Sequence, residues 1–211
     1  MERDPVILAQ TSLLLSLRST IADHSLNTNW LTRAIRLAKQ AGANRWYDVC
    51  ASAAERLDKK KLWWACILRD RMIAIGVRRS IQITTADEVD FDQGCLQADD
   101  FADEHAASRV YEPATKKILT HIVVAQSELA VAQTATLTAA YGSTDDTNQA
   151  DITSASQTIT SMMRIESAKT ELMVWARRFK ATLLCYIDRT GQAQDVNTSV
   201  IIFAEMTLIQ Y

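Results

Sequence analysis

The chain has 211 residues, 48% of them apolar and 23% charged, with a formal net charge of −2. That composition fits a globular domain large enough to bury a real core, and it excludes a low-complexity or strongly self-repelling chain. The opening MERDPV has no apolar signal region, and the longest apolar run, Leu62–Leu68, has seven residues. A bilayer span needs roughly 20, so the sequence reads as a soluble intracellular protein.

Five glycines and two prolines punctuate the chain. So few breakers predict long helices, and six are expected. The first covers about 5–21, with Asp4 as N-cap, Pro5 at its first position, and Leu13, Leu14 and Leu17 on its inner face. The second covers about 29–41 and carries the stripe Trp30/Leu31, Ala34/Ile35, Leu37/Ala38 and Ala41. The third opens at Ser52-Ala-Ala-Glu55, a capping-box pattern, and ends at Gly76. VRRSIQITT (77–85) reads as extended loop. The fourth helix runs from Pro113 to about 141, with Ile118, Ile122, Ala125, Leu129 and Ala132 on one line. A polar loop is expected over about 143–157. The fifth helix covers about 158–187 and carries Leu172 and Trp175, and the sixth starts near Asn197 and is apolar through Ile209. The expectation is an all-α, irregular multi-helix domain filling 1–211, an incomplete piece of a larger helical domain.

Charge is distributed unevenly. Residues 33–79 hold 12 basic and 4 acidic side chains, and residues 87–112 hold 9 acidic and 1 basic. The two blocks are read as facing each other within the fold, with nucleic-acid contact by the basic block as the competing reading. The cysteines at 50, 66, 95 and 185 have no zinc-ligand spacing, and the histidines at 24, 105 and 121 do not pair with them. They read as reduced thiols, and no metal site is expected. No GxSxG, P-loop, GxGxxG or EF-hand loop is present.

One string resembles an enzyme motif. Asp99-Asp100-Phe101-Ala102-Asp103 is D-D-x-x-D, which in all-α isoprenoid synthases presents carboxylates to Mg²⁺ and a diphosphate. It is the alternative to a non-catalytic reading, in which it is a solvated acidic face. The stretch LWWACILRDRMIAIGVRR poses the sharper question. On a helix Arg69 and Asp70 lie over Ala65, Cys66 and Ile67, beside buried surface. Unpaired charge there costs several kcal/mol, so Arg69, Asp70 and Arg71 are expected to form a buried charged network. Trp63 and Trp64 should anchor the core, and Arg78 and Arg79 should face the acidic segment.

LWWACILRDRMIAIGVRRSIQI resembles the signature of the middle homology region, the regulatory domain of fungal zinc-cluster transcription factors. The pattern of that family is roughly R-x-LWW-x-C-x-x-RDR-x-x-x-x-G-x-R-R-P-x-x-I, then D-F-D and D-F. Here it falls on Trp63, Trp64, Arg69, Asp70, Arg71, Gly76, Arg78 and Arg79. It continues through an acidic element of Asp90, Phe91, Asp92, Asp99, Asp100 and Phe101. ILAQTSLLLSL, WLTRAIRLAKQAG and LMVWARRFKATL resemble flanking helices of the same domain. Ser80 stands where the pattern has proline, and Gly42-Ala43-Asn44-Arg45 where it has G-L-H-R. The resemblance implies regulation of RNA polymerase II transcription in the nucleus by a helical interaction module without catalysis. It also implies no cofactor in this chain, zinc only in an N-terminal six-cysteine cluster outside it, and DNA contact only through that cluster. Its implied partners are proteins, other segments of the full factor, or a second copy in a homodimer.

Overall fold

The structure, a computed structural model, describes residues 4–18, 25–48, 52–84, 94–107, 109–141 and 154–190, without the side chains of 154–158, 161 and 183–190. Six α-helices lie among them: α1 (Pro5–Leu15), α2 (Leu26–Gln40), α3 (Ala53–Val77), α4 (Ala102–Ala107), α5 (Pro113–Tyr141) and α6 (Ser154–Thr190). No strand occurs among the described residues, and the fold is all-α. The helix expected from Asn197 lies outside them. So does most of the expected polar loop, except that α6 begins at Ser154, inside that loop's predicted end. The short α4 was not expected: it is a single polar turn and a half, with no apolar period to betray it.

The helix starts follow their local chemistry. Asp4 Oδ1 accepts from Val6 N–H at 2.8 Å, and Ser52 Oγ accepts from Glu55 N–H at 3.0 Å, each satisfying a donor that the first turn leaves orphaned. Pro113 opens α5, where a missing N–H costs nothing. The end of α3 differs from expectation. Gly76 is still helical and Val77 follows it. Arg78 takes the left-handed position, with φ 53°, and both its N–H and that of Arg79 return to Ala74 O. The terminating conformation that glycine usually fills therefore falls on an arginine two residues later.

The chain divides into two compact units, 1–94 with 137–152, and 95–136 with 153–211. In the first, α1 packs on α2 and α3, and α2 packs on α3. Leu31, Ala34, Ile35, Leu37 and Ala38 of α2 are buried, as are Leu62, Trp63, Trp64, Cys66 and Ile67 of α3. Beyond α3, Ile81 and Ile83 are buried too, and Ile81 clusters with Ala74 and Leu137. The packing of α1 corrects the expected inner face. Ala9, Ser12 and Ser16 are buried while Leu14 and Leu17 are exposed. Small side chains let this helix approach its neighbours closely, which the leucines could not do.

In the second unit Ile118, Ile122, Ala125 and Leu129 of α5 pack against Trp175 and Phe179 of α6, with Leu172 alongside. The Trp175 indole N–H donates to Ala125 O at 2.9 Å, so the ring is buried without stranding its donor. Phe179 stacks on it, centroids 5.3 Å apart.

Candidate functional site

The Arg69-Asp70-Arg71 triplet sits two-thirds of the way along α3, and each residue holds a different piece of backbone. Asp70 is fully buried, at 0% exposure. Its Oδ2 accepts from the backbone N–H of Gln82 at 2.9 Å and of Ile83 at 3.0 Å. The same oxygen accepts from Arg71 Nη1 at 2.8 Å, and Oδ1 accepts from Gln82 N–H at 3.1 Å. Arg79 adds a longer ion pair, Nη2 to Oδ1 at 3.6 Å. Arg71, 2% exposed, also donates from Nη1 to Ile83 O at 2.9 Å. Both backbone groups of Ile83 are thus satisfied by side chains of α3. The backbone bends at Gln82 and Ile83, and buried irregular backbone must still find partners for its polar groups. Here two charged side chains supply those partners, and they let the apolar Ile81 and Ile83 enter the core.

Gln82 extends the network to α2. Its amide lies between the Thr32 hydroxyl and the Arg79 guanidinium. With its NH₂ toward Thr32 Oγ1 (2.7 Å) and its oxygen toward Arg79 Nη2 (2.9 Å), both neighbours are satisfied.

Arg69 points the other way. Its Nε donates to Ser16 Oγ at 3.2 Å, and its Nη2 donates to Ser16 O. Ser16 caps the C-terminal end of α1, whose last turn has no basic residue of its own. Arg69 therefore brings a cation to the negative end of that helix dipole. Half-burial lowers the Arg69 pKa from its usual range, although a guanidinium remains charged at any ordinary pH.

Cys66 lies one turn before Asp70. Burial, and then the nearby Asp70 carboxylate, push its thiol up from 9.0 to about 12. A thiol so placed is protonated and unreactive at neutral pH.

Other predicted residues separate from this cluster. Trp63 and Trp64 are each 2% exposed and belong to the core. Gly76 is exposed, and a Cβ built on it meets nothing within 4 Å. Arg78 is exposed at the helix end. Arg79 turns its guanidinium to Asp70 and to Ser80 O, the latter at 3.3 Å. Asp90 and Asp92 lie outside the described residues. Much of the basic block is occupied locally: Arg33 lies over Trp30, Lys60 over Trp46, Lys59 pairs with Glu55, and Arg45 with Asp48.

The D-D-x-x-D string does not form the metal-binding face that the isoprenoid-synthase alternative requires. Asp99 and Asp100 lie on a 3₁₀ turn (Ala98–Phe101), and Asp103 lies on the six-residue α4, so the three carboxylates do not share one long helix. Asp100 Oδ2 is engaged, accepting from Gln97 N–H at 2.8 Å. Among the described residues, no group of three His, Cys, Asp or Glu side chains is placed to hold a metal ion. The isoprenoid-synthase alternative loses its geometric basis.

A cavity of about 380 Å³ lies beside this turn, lined in part by Asp99, His105, Lys117, Thr120 and His121. His105 Nε2 and Thr120 Oγ1 are 2.6 Å apart, and Lys116 Nζ donates to His105 O at 2.9 Å. Burial, then the charge of Lys117, lower the His121 pKa. Polar contacts between α4 and α5 account for this arrangement.

Sequence reasoning located the triplet but missed Ser16, Thr32 and Gln82. The alternation Ile81-Gln82-Ile83 was the available signal: two apolar residues flanking a polar one mark a half-buried segment, whose backbone must find partners.

Residues 3–168 match the family model for the fungal specific transcription factor domain. Over 103 residues the chain is 36% identical to cutinase transcription factor 1 beta of Fusarium vanettenii. That stretch is 47% of this chain and 11% of the relative, so the chain spans about a tenth of that relative's length. No solved structure matches. No helix among the described residues is long and apolar enough to cross a membrane.

Proposed function

This chain belongs to the fungal specific transcription factor domain family, and from that membership we propose that it is the regulatory, protein-contacting part of a factor acting on RNA polymerase II transcription in the nucleus. In this reading it is an interaction module without catalysis or a cofactor of its own. DNA contact belongs to a zinc cluster on a separate segment, and the partners are proteins, other segments of the full factor, or a second copy of the chain.

The observation that supports it best is the use of the Arg-Asp-Arg triplet. Most of its hydrogen bonds go to the protein's own backbone, at Ser16, Gln82 and Ile83, and others to Ser16 Oγ and within the Asp70–Arg71 pair. A catalytic carboxylate or a phosphate-binding arginine has to keep a group turned toward its ligand. The triplet builds shape instead, as a domain working through its surface requires.

Fusing the chain to a heterologous DNA-binding domain and placing the fusion upstream of a reporter gene tests this. A change in reporter output that is lost in Asp70→Ala, and restored by a second-site stabilising substitution, supports the reading. Reporter output identical to that of the DNA-binding domain alone, with the fusion folded and nuclear, sinks it.

A further inference from the structure

Ser80 follows directly on two arginines, and among the described residues it combines three features of a kinase acceptor. It is exposed, it lies in irregular backbone just past the end of α3, and Arg78 and Arg79 precede it. Protein kinases that select arginine do so with acidic subsites that read the residues on the N-terminal side of the acceptor, and they take the substrate backbone extended. Ser167 is also exposed and has Arg164 before it, but it lies within the continuous helix α6. A helical backbone would have to unwind to enter such a cleft.

The surroundings of Ser80 give a phosphate there something to act on. Arg79 Nη1 is 3.3 Å from Ser80 O, while its Nη2 is 3.6 Å from Asp70 Oδ1. At 23% exposure the Arg79 side chain is partly open to solvent, and its hold on Asp70 is the longest in the network.

We propose that Ser80 is a phosphoacceptor for an arginine-directed protein kinase, and that phosphate on it draws Arg79 away from Asp70. The transfer moves the γ-phosphoryl group of a nucleoside triphosphate to Ser80 Oγ. The new O–P bond forms as the bond from γ-phosphorus to the β-phosphate bridging oxygen breaks. The hydroxyl proton passes to the base of the kinase, and the nucleoside diphosphate leaves. The product carries close to two negative charges and three acceptor oxygens. It competes for the Arg79 guanidinium, which favours bidentate phosphate contacts. It also stands near the carbonyl end of α3 and the Asp70 carboxylate, both of which repel it. Asp70 keeps Arg71 and the two backbone N–H groups. The segment Arg79–Ile83 is loosened rather than expelled. This inference rests on the geometry of the network and stands independently of the transcriptional reading.

The full chain is first incubated with an arginine-directed kinase and ATP, and the phosphopeptides are mapped by mass spectrometry. Phosphate is expected on Ser80, absent in Ser80→Ala and much reduced in Arg78→Ala. Next, the chain is produced with phosphoserine incorporated at position 80. Amide exchange at Gln82 and Ile83 is expected to run roughly threefold to tenfold faster than in the unmodified protein. In an Arg79→Gln background the phosphate should add much less acceleration, leaving only that from its repulsion by Asp70 and the end of α3. Failure of the kinase to modify Ser80 overturns the acceptor assignment. Unchanged exchange at Gln82 and Ile83 in the phosphoserine chain overturns the coupling to Asp70.

Discussion

At the scale of single residues, Asp70 carries the largest consequence. Asp70→Ala leaves Arg71 buried without its carboxylate and removes the acceptor of two backbone N–H groups. Breaking a buried pair on one side costs about 3 kcal/mol, to be read as a fall in the urea midpoint with an unchanged slope; an unchanged midpoint would refute the assignment. Cys66 weakens the fold at alkaline pH. Its folded pKa, about 12, lies above the ordinary 9.0, so above pH 9.0 the unfolded chain releases a proton that the folded chain retains. The Cys66 contribution to stability is flat below that pH and falls as pH rises from 9.0 toward 12. Cys66→Ala should reduce the alkaline slope of the thermal midpoint, at the cost of a small cavity. The sequence showed that Arg69 and Asp70 abut apolar surface, because neighbours three and four residues away on a helix are fixed by geometry. It did not show their partners, since Ser16 lies 53 residues from Arg69, and Gln82 and Ile83 lie 12 and 13 from Asp70.

Among the elements, α3 and α1 yield the clearest expectations. Arg78 occupies a left-handed conformation that costs a side-chain-bearing residue roughly 1 kcal/mol. Gly76 spends backbone entropy inside a helix with open space around it. Arg78→Gly and Gly76→Ala should therefore each raise stability by about 0.5–1 kcal/mol, seen as a higher thermal midpoint; a fall in either variant contradicts the described end of α3. On α1, Leu14→Gln should change stability by less than about 0.5 kcal/mol, whereas Ala9→Leu should cost about 1–3 kcal/mol by overpacking. Urea titration of both variants decides whether the small residues form the contact face. That face was illegible in the sequence because α1 is apolar nearly all round, and a period can select a face only where polar residues mark the other one. In α2 and α5 such marking exists, and their buried lines Leu31–Ala38 and Ile118–Leu129 were legible.

For the whole molecule, the all-α class followed from the scarcity of breakers, while its division into two compact units left no mark in composition. The irregular segment after α3 has a further meaning at this scale. Ser80-Ile-Gln-Ile-Thr84 alternates apolar and polar residues and is rich in β-branched side chains, the kind of segment that stacks readily with copies of itself. Asp70 and Arg71 occupy the N–H and C=O groups through which such stacking would begin. The same bonds that complete the core keep these groups from pairing with another chain while the fold is intact. An Asp70→Ala chain held at its physiological temperature should accumulate thioflavin-positive fibrils, and adding Ile83→Lys should suppress them while leaving the fold no better. Seen this way, two charges buried at some energetic cost should make the folded chain less prone to self-association than the Asp70→Ala chain.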